Sequence, residues 1–278
     1  MDRVGAVQSS PVCLSPSAWP LLEQLALMLR YRPTTGILML WLCGDDSRAT
    51  HASGRVALGA GVATLENWCQ LFPAWESVVK ESAMGWFRAT EWHSREAELE
   101  PYWRQLIEAM RDCHVTPVGC VVEPGIVRLL PKAKAYFWRI VHPTAWEQQW
   151  LAFHTDPLAF SLTWCIHEGL DVLRAQSEDK MAMIFSRTAK LMGRYERFSE
   201  ILSVMPRQPR MLARLAPSVF DGDPRDLSQL QVADLVAYEL TAHDPNAPPR
   251  WQYEALLAIG LRVHVADRAR LAPLWEPE

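Results

Sequence analysis

Residues 37–43 are Ile-Leu-Met-Leu-Trp-Leu-Cys, the most continuous apolar run in the chain. Apolar and polar residues do not alternate in this run, which is typical of a strand covered on both faces. We therefore predict a central strand here. The run ends at the polar sequence Gly-Asp-Asp-Ser of residues 44–47. The chain becomes apolar again from Arg55 to Ala63, which predicts the second strand of a hairpin.

The remaining pattern predicts one α/β domain over residues 37–278, with a mixed central sheet flanked by helices. Residues 1–36 are predicted to form an N-terminal tail and a helix, the helix over 18–30. A helix is expected after Thr64, and Pro73 is expected to kink it or to divide it in two. The other predicted elements are strands at 116–122, 181–185 and 215–220, and helices near 99–110, 144–175, 187–204, 227–243 and 251–261.

The composition limits the possible functions. The 278 residues have a net charge of −4 and an isoelectric point of about 6.1, so the chain has no overall attraction to phosphate backbones. Its six cysteines lack Cys-x-x-Cys spacing, which argues against a structural zinc site and favours a reducing cytoplasm. No apolar run is long enough to span a membrane. The motifs of serine hydrolases, P-loop enzymes and zinc proteases are absent from the sequence.

Two carboxylates, Asp45 and Asp46, stand directly after the predicted central strand. A buried strand can hold the residues at its end rigidly toward a ligand, which is one interpretation of this pair. The alternative is a polar turn, because Gly-Asp-Asp-Ser is also a common turn composition.

A third acid, Asp234, lies within an apolar sequence that predicts a buried helix. A buried carboxylate is costly unless it is paired, hydrogen-bonded or bound to a metal. A functional site is one interpretation, and a structural ion pair or a bond to a main-chain N–H is the other. Gln231 and Tyr238 lie on the same face of this helix, where they could orient the carboxylate.

Three blocks of the sequence resemble the bacterial and phage family catalogued as domain of unknown function thirty-eight hundred, which is thought to have an RNase H-like fold. The first block is the apolar strand followed by Asp45-Asp46-Ser47. The second, Val56–Trp92, contains Phe87-x-Ala89-Thr90. The third is Leu-Gln-x-Ala-Asp-Leu-x-Ala-Tyr at residues 230–238. Together they cover residues 38–258.

The resemblance implies that Asp45 and Asp234 meet at one site with Asp46 beside them. It also implies that these acids bind two Mg²⁺ or Mn²⁺ ions, which activate water and stabilise the leaving oxygen of a phosphodiester. The expected activity is that of a metal-dependent nuclease or phosphodiesterase.

The chain departs from the family pattern at several positions. Ser186 stands where the family usually has an acid at the end of a middle strand, Arg88 replaces a histidine, and Arg48 replaces a glycine. Glu123 follows another predicted strand and could compensate for the missing acid. Glu239 should point about 140° away from Asp234 on the same helix.

These departures favour an alternative hypothesis, a catalytically degenerate RNase H-like domain that binds nucleic acid or a protein partner. In either case, the predicted nucleic-acid contacts form a local patch of Arg48, Arg55 and Arg88 near the acids. The occurrence of the resembled family in phages and mobile elements favours a role in defence or an accessory role.

Overall fold

The computed structural model describes residues 36–42, 54–126, 144–174, 181–186, 191–204, 214–225 and 227–266. The predicted N-terminal helix at 18–30 and the predicted site residues Asp45, Asp46 and Arg48 lie outside these ranges.

The protein is a mixed α/β structure in which one sheet joins strands from Gly36 to Ala266. The strands are β1 (Gly36–Leu42), β2 (Val56–Thr64), β3 (Thr116–Val122), β4 (Met181–Ser186), β5 (Leu215–Gly222) and β6 (Arg262–Ala266). The helices are α1 (Leu65–Glu81), α2 (Ala89–Ser94), α3 (Glu96–Asp112), α4 (Ala145–His154), α5 (Pro157–Arg174), α6 (Met192–Val204), α7 (Ser228–Ala242) and α8 (Trp251–Ala258).

The strand order across the sheet is β5-β4-β1-β2-β3-β6. β1 pairs antiparallel with β2, and β2 pairs antiparallel with β3. On its other side β1 pairs parallel with β4, which pairs parallel with β5, whereas β6 pairs parallel with β3. The predicted hairpin and the central position of β1 are therefore confirmed.

Helices cover both faces of the sheet. On β3, Gly119 contacts Leu240 of α7, whereas the next residue, Cys120, lies near Cys165 of α5. Because successive side chains of a strand point to opposite faces, α7 and α5 occupy opposite faces. Both helices also contact β1, as expected for a strand whose residues are apolar without alternation.

The structure refines two helical predictions and adds one strand. α1 is a single helix through Pro73, so the predicted division there does not occur, and Trp68 and Trp75 on either side of it are both fully buried in the core. The helical region predicted at 144–175 consists of two helices, and Asp156 caps the second by accepting a hydrogen bond from the Leu158 N–H at 2.9 Å. The edge strand β6 was not predicted, and its alternating sequence Arg-Val-His-Val-Ala was the available signal.

Among the residues that the structure describes, no helix combines the length and the apolar character that a membrane crossing requires.

Candidate functional site at the carboxyl edge and around Asp234

The first part of the candidate site is the edge of the sheet at which β1, β4 and β5 end, which we call the carboxyl edge. These three strands are parallel, and their register places Leu40, Phe185 and Asp221 side by side. Their carboxyl ends therefore lie together. In open α/β sheets, ligands commonly bind outside the carboxyl ends of the strands. Asp45 and Asp46 follow β1 in the sequence, but they lie outside the described residues.

Asp223 is an acid at this edge that sequence reasoning missed. It directly follows β5, and one of its carboxylate oxygens accepts a hydrogen bond from the Arg225 N–H at 2.9 Å. The side chain is only partly buried. The signal was present in the sequence Asp221-Gly222-Asp223, since it repeats the pattern of acids after an apolar strand that drew attention to Asp45.

Ser186 ends β4 between these two strands. It is 2% exposed and pairs with Gly222 of β5. The position of Ser186 is therefore consistent with the prediction that a hydroxyl, and not an acid, stands at the end of β4. A neutral hydroxyl supplies no negative charge for a divalent ion, which prefers carboxylate oxygens.

The second part of the candidate site is Asp234, which lies on α7 and is 4% exposed. Its Oδ2 atom accepts a hydrogen bond of 2.7 Å from the main-chain N–H of Ala89. Ala89 is the first residue of α2, and the preceding residue, Arg88, provides no side-chain cap. Asp234 thus satisfies a donor that the helix leaves unpaired, and its negative charge stabilises the positive end of the helix. The main-chain bond that was one interpretation of this acid is present.

Gln231, about one turn before Asp234 on α7, holds the segment that leads into α2. Its Oε1 atom accepts hydrogen bonds from the Trp75 indole at 2.9 Å and from the Phe87 N–H at 3.1 Å. Its amide group donates to the Pro224 carbonyl at 2.7 Å. Gln231 and Asp234 therefore both hold the segment that leads into α2.

The predicted orienting residue Tyr238 lies beside another group of polar residues. The centroid of its ring is 5.5 Å from that of His93, and the Arg250 guanidinium lies 5.5 Å from the same ring. Glu239, which was predicted to point away from Asp234, is completely buried and lies 3.5 Å from Arg250.

Two of the three predicted nucleic-acid contacts can be located. The Arg55 side chain is 11% exposed, forms an ion pair with Glu123 at 3.0 Å and donates a hydrogen bond to the His243 carbonyl. Arg55 therefore links β2, the end of β3 and the end of α7, and it also engages Glu123, the acid considered as a compensating ligand. Arg88 is 41% exposed and contacts Glu91 at 3.3 Å.

The described part of the chain contains no group of three or more His, Cys, Asp or Glu side chains arranged to hold a metal ion. Asp223 is only partly buried, and Ser186 is neutral, so a carboxylate site at the carboxyl edge requires the acids that follow β1. The described residues alone do not complete the predicted donor set.

Comparisons of the chain with protein-family models, with curated proteins and with solved structures found no match.

Proposed function

We propose that this chain is an RNase H-like domain that hydrolyses phosphodiester bonds of nucleic acid with divalent metal ions at the carboxyl edge. The strand order β3-β2-β1-β4-β5 supports the first part of this proposal. Antiparallel pairing over β1 to β3, followed by parallel pairing from β1 to β5, is the arrangement of an RNase H-like sheet. β6 extends that arrangement beyond β3.

The observation that carries the functional part is the shared carboxyl edge of β1 and β5. Asp45 and Asp46 follow one of these strands, and Asp223 follows the other, with β4 between them. Neighbouring strands are about 4.8 Å apart, so β1 and β5 are separated by roughly 10 Å, a gap that side chains from both ends can narrow. Asp45, Asp46 and Asp223 are therefore the proposed ligands for Mg²⁺ or Mn²⁺. Such ions would supply an activated water and stabilise the leaving oxygen.

In this proposal, Asp234 has a positioning role in addition to any contact with a metal. Its bond to Ala89, together with the bonds of Gln231, fixes the segment that carries Arg88. A half-exposed arginine in a fixed position is suited to contact a phosphate of the substrate.

Two observations favour the second candidate, a domain that binds nucleic acid or a protein partner without catalysis. Ser186 stands where the resembled family usually has an acid, and one oxygen of the Asp234 carboxylate already accepts a main-chain hydrogen bond. A domain of this kind would need the fold and the surface but no metal.

Titration of Mn²⁺ into the metal-free protein tests the proposal through the melting temperature. A ligand that binds only the folded state stabilises it by about 2.7 kcal/mol at a hundred times its Kd. We expect the melting temperature of the wild type to rise with Mn²⁺, and the rise to be lost in Asp45→Asn and reduced in Asp223→Asn. Asp112→Asn, which changes an exposed acid at the end of α3, is the matched control and should respond like the wild type.

Cleavage assays on single-stranded and duplex RNA and DNA complete this test. We expect hydrolysis that requires Mg²⁺ or Mn²⁺ and that disappears in folded Asp45→Asn. Metal-independent cleavage, or full activity in that variant, would contradict the metal site. A wild type that binds nucleic acid but shows no stabilisation by Mn²⁺ would establish the binding module instead.

Ser186→Asp tests the position of the missing acid. If Ser186 faces the metal site, the added carboxylate should lower the Kd for Mn²⁺, because each carboxylate adds a charged ligand. Isothermal titration of the variant and the wild type measures the difference. An unchanged Kd would show that this residue does not contribute to the site.

A further inference from the structure

Glu239 is a buried carboxylate with unsatisfied oxygens. It lies on α7 and is 0% exposed, and neither of its carboxylate oxygens has a hydrogen-bond partner among the described residues. Within the described part of the chain it forms an ion pair with Arg250, whose Nη2 atom lies 3.5 Å from Oε1. An ionised carboxylate in such a position is strongly unfavourable, whereas the protonated form carries no charge to desolvate.

Arg250 cannot neutralise Glu239 alone, because the same Nη2 atom also lies 3.4 Å from Oε2 of Glu96 and 2.8 Å from Nδ1 of His93. One cation therefore serves two carboxylates. With both carboxylates ionised, this partly buried group of residues has a net negative charge, and a proton on Glu239 removes it.

His93 also constrains which groups in this cluster can carry a proton. Its Nδ1 atom lies 2.9 Å from Oε2 of Glu96 as well as 2.8 Å from Arg250. A ring nitrogen cannot donate to the carboxylate and accept from the guanidinium at the same time. When Arg250 is held by Glu96 and His93, the His93 ring is neutral and accepts at Nδ1. These contacts of Arg250 with Glu96 and His93 are stable only if Glu239 is protonated and does not also need the Arg250 charge.

The same residues fasten α8 to the rest of the protein. Arg250 directly precedes α8, and Glu96 of α3 accepts hydrogen bonds from the Trp251 indole at 3.2 Å and from the Gln252 amide. The other amide atom of Gln252, Oε1, is buried and has no donor among the described residues. The contacts at the start of α8 therefore join it to α3.

We propose that Glu239 binds a proton when α8 is docked, and that release of this proton to solvent loosens α8 from α3 and α7. Ionised Glu239 attracts Arg250, and Arg250 can move toward it only by leaving His93 and Glu96. The contacts at the start of α8 then weaken. Docking of α8 is therefore linked to pH.

The charged and titratable groups around Glu239 support this direction. Burial raises the pKa of Glu239 to about 7, although the Arg250 guanidinium lowers it, and the Glu96 carboxylate adds to the rise. Tyr238, adjacent on α7, has a raised pKa, chiefly through burial. The pKa of His93 is lowered by burial and by Arg250, with Glu96 opposing.

Glu239 and His93 affect the docking of α8 in opposite directions as the pH changes. A carboxyl group whose pKa is higher in the docked state than its ordinary value of 4.5 favours docking at low pH, and that benefit is lost as the pH rises toward about 7. His93, whose pKa is lowered from 6.5, opposes docking when the pH falls below that value. A variant of Glu239 alone is needed to separate the two effects.

Hydrogen exchange of the full chain between pH 5 and pH 8 tests the proposal. Glu239→Gln has the shape of the protonated acid and does not titrate, and Glu254→Gln, on the exposed side of α8, is the matched control. The protection factors of Trp251–Ala258, corrected for the intrinsic exchange rate, are compared between the wild type and Glu239→Gln. Relative to this variant, we expect the wild-type values to fall by up to about tenfold for each pH unit up to pH 7. Glu254→Gln should follow the wild type.

Arg250→Gln provides a second readout if Glu239→Gln does not fold. In this variant no guanidinium remains to leave Glu96 and His93 when Glu239 ionises, so the fall in protection of α8 between pH 5 and pH 7 should be smaller than in the wild type. Equal pH dependence in the wild type and Glu239→Gln, a fall of wild-type size in Arg250→Gln, or an equal fall in protection throughout β3 and α7 would each overturn the proposal.

Discussion

At the scale of single residues, Asp234 is the predicted buried acid for which the structure shows a main-chain partner. The sequence predicted a buried carboxylate that needed a partner, and the structure supplies the N–H of Ala89 as one such partner. The identity of that partner was not predictable, because it depends on a contact between residues 145 positions apart in the sequence. Gln231 was predicted on the correct face of the helix, but it binds Phe87 and Trp75.

The stability of Asp234→Asn separates a structural acid from one in an acidic cluster. We expect the substitution to cost about 1–3 kcal/mol, because it removes a charge-assisted bond to the start of α2. Urea unfolding of both proteins in EDTA measures the difference, with Asp112→Asn as an exposed control. An unchanged or higher stability of Asp234→Asn would instead indicate repulsion between Asp234 and other acids in the metal-free protein.

At the scale of elements, the packing of α7 on the sheet depends on the absence of a side chain at Gly59. A Cβ atom at Gly59 would lie 2.2 Å from the main-chain nitrogen of Ala237 and 2.7 Å from the carbonyl oxygen of Ala233. The helix backbone therefore lies directly on β2. This close approach places Asp234 and Gln231 at the depth at which they reach α1 and the segment before α2.

Gly59→Ala should accordingly be among the most destabilising single substitutions in the sheet. The main-chain atoms of α7 cannot move aside as a flexible side chain would, so we expect a loss of about 3 kcal/mol or more. Gly193→Ala, on α6, is the matched control, because its Cβ would meet nothing within 4 Å. Since alanine favours a helix over glycine, Gly193→Ala should gain about 0.5–1 kcal/mol. Similar urea midpoints for the two variants would contradict the packing model.

The elements also show which sequence signals were sufficient. The strands β1, β3 and β4 have continuous apolar sequences, so their sequences alone predicted them within one residue or two. β6 was missed because it is short, mostly only partly buried and lies just beyond the helix predicted at 251–261, so its alternation was a weak signal. Asp223 was missed for a related reason, since β5 was predicted to end at Phe220, whereas it continues to Gly222, directly before Asp223.

At the scale of the whole molecule, charge limits how the protein can contact nucleic acid. The net charge is −4, and among the arginines predicted to form a patch, Arg55 is engaged by Glu123 and by the end of α7. Removal of Arg55 should therefore weaken folding more than binding. Arg88, which is 41% exposed and held in place through Ala89, is the described member of the patch that can reach a phosphate.

The affinity for duplex DNA should therefore be weak and should depend little on salt. Each phosphate contact contributes about 0.9 to the slope of log K against log salt concentration, and we expect a total slope smaller than about 3 in magnitude. Arg88→Ala should reduce that slope by about 1, whereas Arg111→Ala, an exposed arginine on α3, should leave it unchanged. Fluorescence anisotropy with labelled duplex measures both effects. The salt concentration should vary from about 50 to about 200 mM, because phosphate contacts weaken over this range. A tight complex with a slope that Arg88→Ala does not alter would place the nucleic-acid interface on another surface.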